Sequence, residues 1–246
     1  MLLARWSILA AGALACLAGT AAGAENTAAE PAPKLHLGWL ERDFKLSWEA
    51  RARHPELIVV GDSIVERFEQ AGRPVWDRYY APRNALNLGI GGDRTEQVLW
   101  RLEHGNLAHL DPKLAIVMIG QNNGGHNTAA EIAEGIGAVV RTLEDRLPHA
   151  RILLLAIFPR GQAYNPERAV LAEASARASR LADNRRVFYL DVGRIFLRPD
   201  GSIPAALMAD YEHPTALGFE RWAEAMEPTV AELMGDQPRA GSIARR

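Results

Sequence analysis

Ser63 lies where an apolar run ends and a helical segment begins. The run 57–60 is followed by Gly61 and Asp62, and amphipathic periodicity starts directly after the serine. Serine at such a turn can cap the helix, because its hydroxyl accepts a hydrogen bond from a free backbone N–H. It can also attack a carbonyl carbon, which requires a base, a group that orients the base, and donors for the developing oxyanion. The second role depends on whether the chain supplies those groups.

His213 is the candidate base. It follows Asp210 by three residues, in a loop just before the last helical segment. A single tight turn is enough to bring that carboxylate to the imidazole and fix its tautomer, as a serine hydrolase requires. The alternative is an Asp-containing turn with a capping residue for the helix that follows. Five other histidines lie in polar segments and are interpreted as solvated: His36, His54, His104, His109 and His149.

Two further segments offer donors to an oxyanion. Gly91 and Gly92 lack side chains, so a backbone N–H there can approach a ligand closely. Asn122 offers a side-chain amide at the end of another apolar run. Each segment also has a structural interpretation, which is a plain turn for the glycine pair and a polar loop for Asn122 and Asn123. The occurrence of all these groups in one chain favours nucleophilic catalysis by serine.

A sheet with strands that alternate with helices would position these residues. Apolar runs predict strands at 57–60, 85–88, 114–119, 152–157 and 187–190. Helical periodicity predicts helices at 64–70, 95–102, 129–147, 167–182 and 217–233. The alternation predicts an α/β fold, with about five parallel strands and helices on both faces. Ligands of such sheets bind beyond the carboxyl ends of the strands, which is where Ser63, Gly92 and Asn122 stand.

The composition is that of an ordinary globular protein. The chain has 246 residues, 48% hydrophobic, with a formal net charge of -2. This length supports one domain with a sizeable core, and the absence of a basic stripe in the sequence argues against nucleic acid as a partner. We expect an Ala- and Pro-rich flexible leader at 25–35, one domain at 36–234 and a disordered tail at 235–246.

The first 24 residues are typical of an export signal. Arg5 precedes an apolar run at 6–17, and the small residues 22–24 predict cleavage before Glu25. The apolar run is too short to span a membrane, so we expect no transmembrane segment and a periplasmic or secreted protein. A lipoprotein attached through Cys16 is the second choice, because Ala13 stands where such signals usually carry leucine. Cys16 is the only cysteine, so the mature protein would have neither a disulfide nor a thiolate.

Four blocks of this chain resemble those of the SGNH (GDSL-type) esterase and lipase superfamily. They are Gly61-Asp62-Ser63, Gly92 before Asp93, Gly120-Gln121-Asn122, and the Asp-x-x-His block from Asp210 to His213. Their order and spacing agree with the superfamily from about residue 36 to residue 234. The resemblance implies a flavodoxin-like three-layer fold and metal-independent hydrolysis of small acyl esters, with no cofactor.

Within this superfamily, the chain resembles the catalytic α subunits of intracellular platelet-activating-factor acetylhydrolase. The similar stretches read NALNLGIGGDRTEQVLWRLEHGNL, GQNN, PRGQAYNPER and PDGSI. Two features depart from that branch. The animal enzymes are cytosolic whereas this chain carries an export signal, so their lipid substrate is not carried over. The residue before the histidine is apolar in those subunits, whereas here it is Glu212, which changes the expected acyl selectivity.

The resulting hypothesis gives each residue a role. Ser63 is the nucleophile, His213 the base and Asp210 the group that orients the base. The backbone N–H groups of Ser63 and Gly92, with the Asn122 side chain, hold the oxyanion. The helix N-terminus at Ser63 adds a dipole that favours negative charge.

Glu212 and Ile64, each next to a catalytic residue, are assigned to substrate binding. A carboxylate is costly to desolvate beside a long acyl chain, so we expect acetyl esters to be preferred. Export and the lack of a large hydrophobic lid segment suit polar small-molecule or glycan esters, such as O-acetylated sugars. The alternatives are a lipid or lysophospholipid acyl hydrolase and a non-catalytic binding module. The sequence is also compatible with a homodimer.

Other site classes fit the sequence less well. The nucleophile elbow of α/β-hydrolases needs glycine two residues after the serine, where this chain has Val65. The first strand-to-helix loop lacks the run of glycine and hydroxyl residues that phosphate and flavin sites use. The sequence contains no His-Glu-x-x-His or comparable metal-binding motif.

Overall fold

A parallel sheet forms the centre of the molecule, of which the computed structural model describes residues 26–239. Its strands are β1 (Leu57–Gly61), β2 (Ala85–Gly89), β3 (Leu114–Met118), β4 (Arg151–Leu155) and β5 (Val187–Leu190). The order across the sheet is β2-β1-β3-β4-β5, and every neighbouring pair is parallel. This is the flavodoxin-like order, so the predicted fold class is confirmed.

Most residues of the strands are apolar because both faces of the sheet are covered. Successive side chains of a strand point to opposite faces. Accordingly, Ile58 and Val60 belong to one buried cluster, and Leu57 and Val59 belong to the other. Burial on both sides explains why these runs lack the alternation of a half-exposed strand.

Within the described residues, seven α-helices cover the two faces. They are α1 (Leu37–Arg53), α2 (Ser63–Glu66), α3 (Arg73–Tyr79), α4 (Thr95–Arg101), α5 (Ala129–Arg146), α6 (Pro166–Ala178) and α7 (Ala216–Met234). Helices α1, α4, α5 and α6 pack on one face, and α2, α3 and α7 on the other. None of these helices is both long enough and apolar enough to cross a membrane.

Two helices were not predicted, and two others, α2 and α6, end four residues earlier than predicted, each followed by a 3-10 turn. Helix α1 buries Asp43 and exposes Phe44 and Trp48, so its apolar residues do not follow a single face. Helix α3 is only seven residues long. The segment predicted as a helix at 64–70 is α2 followed by a 3-10 turn at Arg67–Glu69.

The segment predicted as a flexible leader differs from that expectation. Thr27–Ala29 forms a 3-10 turn capped by the Asn26 side chain. Ala28 is fully buried, and its carbonyl accepts a hydrogen bond from the Thr95 hydroxyl at 2.6 Å. The small side chain lets this turn pack closely against α4 and α5, so the ordered domain begins before residue 36.

The first residues of the predicted disordered tail also contact the domain. Gly235 ends α7 in a left-handed conformation, with φ +71°. The Asp236 carboxylate then accepts hydrogen bonds at 2.8 Å from Arg83, which also pairs with Glu227 of α7. This ion-pair group holds 235–239 against α7. Residues 240–246, like the predicted signal peptide 1–24 and Cys16, lie outside the described residues.

Candidate active site

Ser63 is the first residue of α2, directly beyond the carboxyl end of β1. The helix cap is Asp62, whose Oδ1 accepts a hydrogen bond from the Ile64 N–H at 2.9 Å. The Ser63 hydroxyl is therefore not needed for capping. Its Oγ lies 2.9 Å from Nε2 of His213, although the two residues are 150 positions apart in the chain. The structure thus pairs the predicted nucleophile with the predicted base.

The loop before α7 brings Asp210 to His213. Asp210 Oδ2 lies 2.8 Å from Nδ1 of the ring, and its Oδ1 accepts the His213 backbone N–H at 2.8 Å. Tyr211 between them is left-handed, with φ +60°, and its carbonyl accepts the Gly161 N–H at 2.8 Å. The cap of α7 is Thr215, so neither Asp210 nor His213 is occupied by helix capping.

Asp210 is an ionised carboxylate at neutral pH. Burial alone would raise its pKa, but hydrogen bonds from the backbone and ring of His213 and from the Glu212 backbone outweigh it and lower the pKa to about 2. Arg67 adds a cation 3.7 Å from Oδ2. A permanently charged Asp210 can orient the ring of His213 and stabilise an imidazolium when one forms. The five histidines predicted to be solvated are all exposed: His36, His54, His104, His109 and His149.

The three predicted oxyanion donors lie at adjacent strand ends. The Gly92 N–H, in a left-handed residue with φ +71°, has no acceptor among residues 26–239, and neither does the N–H of Ser63. The neighbouring Gly91 N–H is already donated to the Glu66 carboxylate at 2.6 Å. Asn122 donates through Nδ2 to the Asp93 carbonyl at 2.9 Å, which fixes the direction of its amide. The loops after β1, β2 and β3 therefore hold these three donors at neighbouring strand ends, where Asn122 Nδ2 also lies 3.4 Å from Asp62 Oδ2.

The position of Ile64 differs from the predicted substrate contact. Its side chain is only 1% exposed and packs in the buried cluster under the sheet. Successive residues of a helix turn by 100°, so the residue after Ser63 faces the sheet when Ser63 faces the crevice. Ile64 supports the turn from below and offers no surface to a ligand.

Glu212, the other predicted substrate contact, lies in an ion-paired group. Its Oε2 accepts a hydrogen bond from Arg160 at 3.0 Å, and Arg160 also binds Glu167 at 2.9 Å. All three side chains are partly exposed, which places charge rather than hydrocarbon next to His213. Arg160 was not identified from the sequence, because it is 52 positions from Glu212 and no local pattern connects them.

A groove runs from the glycine loop on the other side of Ser63. An ideal Cβ at Gly91 would lie 4.0 Å from the Ser63 Cβ, so the groove adjoins the nucleophile. Its volume is about 400 Å³. It is lined by Lys34, His36, Trp39, Arg42, Glu66 and Ile90. More of the exposed surface of this groove is apolar than polar, and the side chains of Lys34, Arg42 and Glu66 supply its charged groups.

Asp62 is a buried carboxylic acid with an unusual titration. Burial, helped by the nearby Asp93 and Glu212 carboxylates, raises the pKa of Asp62 to about 7 from its ordinary value of 3.8. Between these two values the folded protein holds a proton that the unfolded chain has lost. Stability therefore falls as the pH rises through this window.

We expect Asp62→Asn to remove this pH dependence while keeping the cap, because an amide oxygen can still accept the Ile64 N–H. We compare the Tm of the variant minus the Tm of the unaltered protein at two pH values. This difference should be about 3 °C or more larger at pH 8 than at pH 5. Thermal unfolding at both pH values measures the difference. A Tm difference that does not change with pH would contradict the account of Asp62.

No group of three or more His, Cys, Asp or Glu side chains suited to hold a metal ion occurs in the part of the chain that the structure describes.

Arg101 was not predicted from the sequence, although its guanidinium lies behind the strand ends and binds Asp93 at 2.9 Å. The available signal was a charge three residues after Val98, on the buried face of α4.

Comparisons with known proteins identify the family. The model of the GDSL-like lipase/acylhydrolase family matches residues 59–221. Platelet-activating factor acetylhydrolase IB subunit alpha1 from Homo sapiens is 35% identical over 226 residues, covering 89% of this chain and 96% of that protein. Subunit alpha2 from Rattus norvegicus is 34% identical over 201 residues, covering 81% and 86%.

Solved structures show the same fold. A GDSL-like lipase from Bacteroides thetaiotaomicron has a TM-score of 0.62 at 13% identity, over 80% of this chain and 97% of its own. An acetylxylan esterase from Geobacillus stearothermophilus has a TM-score of 0.57 at 18% identity, over 75% and 97%. At such identities the likeness concerns the fold alone. The family model and the 35% identical relative, in contrast, show the family. This chain belongs to the GDSL-like lipase/acylhydrolase family and is an ester hydrolase.

Proposed function

We propose that this protein removes short acyl groups, acetyl above all, from polar alcohols through an acyl-enzyme on Ser63. The observation that carries the proposal is the hydrogen-bonded chain from Ser63 Oγ to His213 Nε2 at 2.9 Å and from His213 Nδ1 to Asp210 Oδ2 at 2.8 Å. This is the arrangement that activates a serine hydroxyl for attack on a carbonyl.

In the first half-reaction, Ser63 Oγ attacks the ester carbonyl carbon while His213 Nε2 takes the hydroxyl proton. The carbonyl oxygen becomes an oxyanion that accepts hydrogen bonds from the Ser63 and Gly92 N–H groups and the Asn122 amide. When the carbonyl re-forms, the bond to the alcohol breaks, and His213 gives its proton to the departing oxygen. Asp210 stays ionised and offsets the charge of the imidazolium.

In the second half-reaction, water attacks the acyl-enzyme. His213 takes a proton from the water, and the same donors hold the second oxyanion. Collapse of this intermediate breaks the bond to Ser63 Oγ, which recovers its proton from His213, and the carboxylic acid leaves. Each donor of the oxyanion hole contributes about 10²- to 10³-fold to the rate in such reactions.

An acetyl preference is supported by the charges beside His213. Glu212 and Arg160 lie where a longer acyl chain would displace water from charged groups, which costs free energy. The name of the 35% identical relative points the same way, since acetylhydrolase denotes removal of an acetyl group.

Glu212→Leu should shift the preference toward longer acyl chains. Leucine removes the carboxylate that is costly to desolvate, so the ratio of kcat/KM for p-nitrophenyl butyrate to that for the acetate should rise about tenfold, as for a gain of 1 to 2 kcal/mol. Glu167→Gln is the matched control, because it removes the other carboxylate bound to Arg160 and leaves Glu212 in place. Equal ratios in Glu212→Leu and the unaltered protein would show that Glu212 plays no part in acyl selection.

The alcohol part of the substrate is assigned to the groove beside Gly91. Its lining by Lys34, His36, Arg42 and Glu66 supports a hydroxyl-rich partner such as an O-acetylated sugar or glycan. The second candidate is an acetylated or acyl phospholipid, favoured by the names of the relatives that are 34–35% identical. Higher kcat/KM for acetylated xylo-oligosaccharides than for a short-chain acetyl phospholipid supports the sugar, and the reverse order supports the lipid.

The proposal includes export and the division of the chain that the sequence predicts. Residues 1–24 act as the signal peptide, and the catalytic domain follows. Mass spectrometry of the protein recovered from its native cells should place the N-terminus at Glu25. A lipid adduct on Cys16 would support the lipoprotein alternative, and a chain that keeps residues 1–24 in the cytosol would contradict export.

Turnover of p-nitrophenyl acetate by the purified protein tests the proposal directly. We expect a burst of nitrophenol followed by a slower steady rate if deacylation limits, because acylation by an activated ester is fast. Binding of acetyl esters without turnover would identify the protein as a binding module instead.

A further inference from the structure

Arg101 is a fully buried cation directly behind the active site. Its side chain and that of its partner Asp93 are both 0% exposed. Three of its nitrogens donate hydrogen bonds, to Asp93 Oδ2 at 2.9 Å, to the Gly61 carbonyl at 3.0 Å and to Asn106 Oδ1 at 2.7 Å. The rigid fork of a guanidinium thus fixes the relative positions of three separate segments.

Two of these acceptors lie next to the oxyanion donors. Gly61 is the end of β1, two residues before Ser63. Asp93 follows Gly92 directly, and its carbonyl accepts the Asn122 amide at 2.9 Å. Arg101 is therefore connected to the loops after β1 and β2 by single hydrogen bonds, and to the loop after β3 through Asp93.

The far side of this network is anchored on α1. Asp93 Oδ1 accepts the Trp39 indole N–H at 2.6 Å, and Asn106 Nδ2 donates to Asp43 at 2.8 Å and to Ser47 at 2.9 Å. Each member is buried and hydrogen-bonded, which holds the network in one arrangement. Helix α1 thereby supports the loop that carries Gly92.

A buried ion pair is weak evidence for stability, since removing two charges from water offsets much of their attraction. Stability alone therefore does not explain this ion pair, and its contacts supply another reason for it. We propose that Arg101 is a positioning residue that sets the spacing of the oxyanion donors of Ser63, Gly92 and Asn122. This inference rests on the proposed function and adds a residue to it that does not touch the substrate.

Arg101→Lys tests the inference with the charge retained. A lysine ammonium is a single point on a flexible stem and cannot reach Asp93, Asn106 and the Gly61 carbonyl in the fixed geometry of the guanidinium. The donors should then shift, and kcat/KM for p-nitrophenyl acetate should fall about 10- to 100-fold, less than for outright loss of one donor.

The inhibition constant of an alkyl trifluoromethyl ketone separates positioning from simple loss of folded protein. Ser63 Oγ adds to the ketone carbonyl, His213 takes the proton, and the resulting oxyanion occupies the same donors as in ester hydrolysis. A smaller fraction of folded enzyme lowers the measured rate but leaves this constant unchanged. We expect the constant to rise about tenfold or more in Arg101→Lys, in step with the loss of kcat/KM.

Arg83→Lys is the matched control. Arg83 is also a buried arginine that pairs with a carboxylate, Glu227, at 2.8 Å, but it joins α7 and the tail, away from the strand ends. This variant should lose thermal stability and keep both kcat/KM per folded molecule and the inhibition constant. A similar rise in the constant for Arg83→Lys would mean that any buried arginine has this effect, and would overturn the specific role of Arg101.

Trp39→Phe covers the case in which Arg101→Lys does not fold, as judged by circular dichroism. It removes the indole N–H bound to Asp93 and keeps an aromatic ring, and it should raise the inhibition constant severalfold. An unchanged constant in whichever variant is folded overturns the inference while the proposed function stands. An unaltered protein that neither hydrolyses the ester nor binds the ketone would overturn the proposed function, and the inference with it.

Discussion

Ser63→Ala is expected to lower kcat/KM for p-nitrophenyl acetate by at least about 10⁴-fold, as loss of a nucleophile does in serine hydrolases. Alanine cannot form the acyl-enzyme, so only the oxyanion donors acting on water remain. The fold should be preserved, because Asp62 and not Ser63 caps α2. Steady-state kinetics and thermal unfolding of the purified variant measure both effects.

A matched control for this change is Ser179→Ala. Ser179 is partly exposed in the turn after α6, where its hydroxyl donates to the Ala176 carbonyl at 2.8 Å. Its removal also deletes one hydroxyl near a helix end, but it should leave kcat/KM unchanged. Turnover close to that of the unaltered protein in Ser63→Ala would exclude Ser63 as the nucleophile.

Asp210→Asn is expected to lower kcat/KM by about 10⁴-fold with little change in Tm. The amide oxygen can still accept the His213 backbone N–H, so the turn is kept. The amide nitrogen, however, donates to Nδ1 of His213, where the carboxylate accepts. The ring proton is then held on Nε2, which can no longer take the proton of Ser63.

Asp200→Asn controls for the loss of a carboxylate in a turn. Asp200 is also exposed, and its Oδ1 accepts the Ser202 N–H at 2.9 Å. We expect unchanged kinetics for this variant. If Asp210→Asn hydrolyses p-nitrophenyl acetate as fast as the unaltered protein, a different carboxylate must orient His213.

The positions of the candidate catalytic groups could be predicted because their signals are local. Ser63, Gly92 and Asn122 each follow an apolar run, and the carboxyl ends of parallel strands share one edge. Asp210 and His213 are three residues apart, so a single turn is sufficient to join them. Each prediction needed only a short stretch of chain and the rule that ligands bind beyond the carboxyl ends of parallel strands.

The supporting groups could not be predicted in the same way. Arg160 and Glu212 come from different loops, and Asp93 binds Trp39 across 54 positions, so no pattern within one segment connects them. Ile64 was misplaced for a related reason. Because Ile64 follows Ser63 in the sequence, it was expected to line the crevice. The direction of the first helical turn instead buries its side chain.

Two elements at the edges of the domain were also beyond sequence reasoning. The Ala- and Pro-rich composition of the leader suggested flexibility, but burial of Ala28 depends on a gap between α4 and α5 that only the folded chain contains. Helix α1 carries polar residues on its buried face because the network around Asn106 needs Asp43 and Ser47 as acceptors. Its periodicity was therefore obscured by the same residues that anchor the active-site loop.

Labelling with a fluorophosphonate tests the central claim most directly, because the reagent reacts with a serine only where a base and an oxyanion hole activate it. Peptide mapping by mass spectrometry should find one adduct, on Ser63, and labelling should be lost in His213→Ala. An adduct on another serine, or hydrolysis of p-nitrophenyl acetate that continues after Ser63 is fully labelled, would contradict the account.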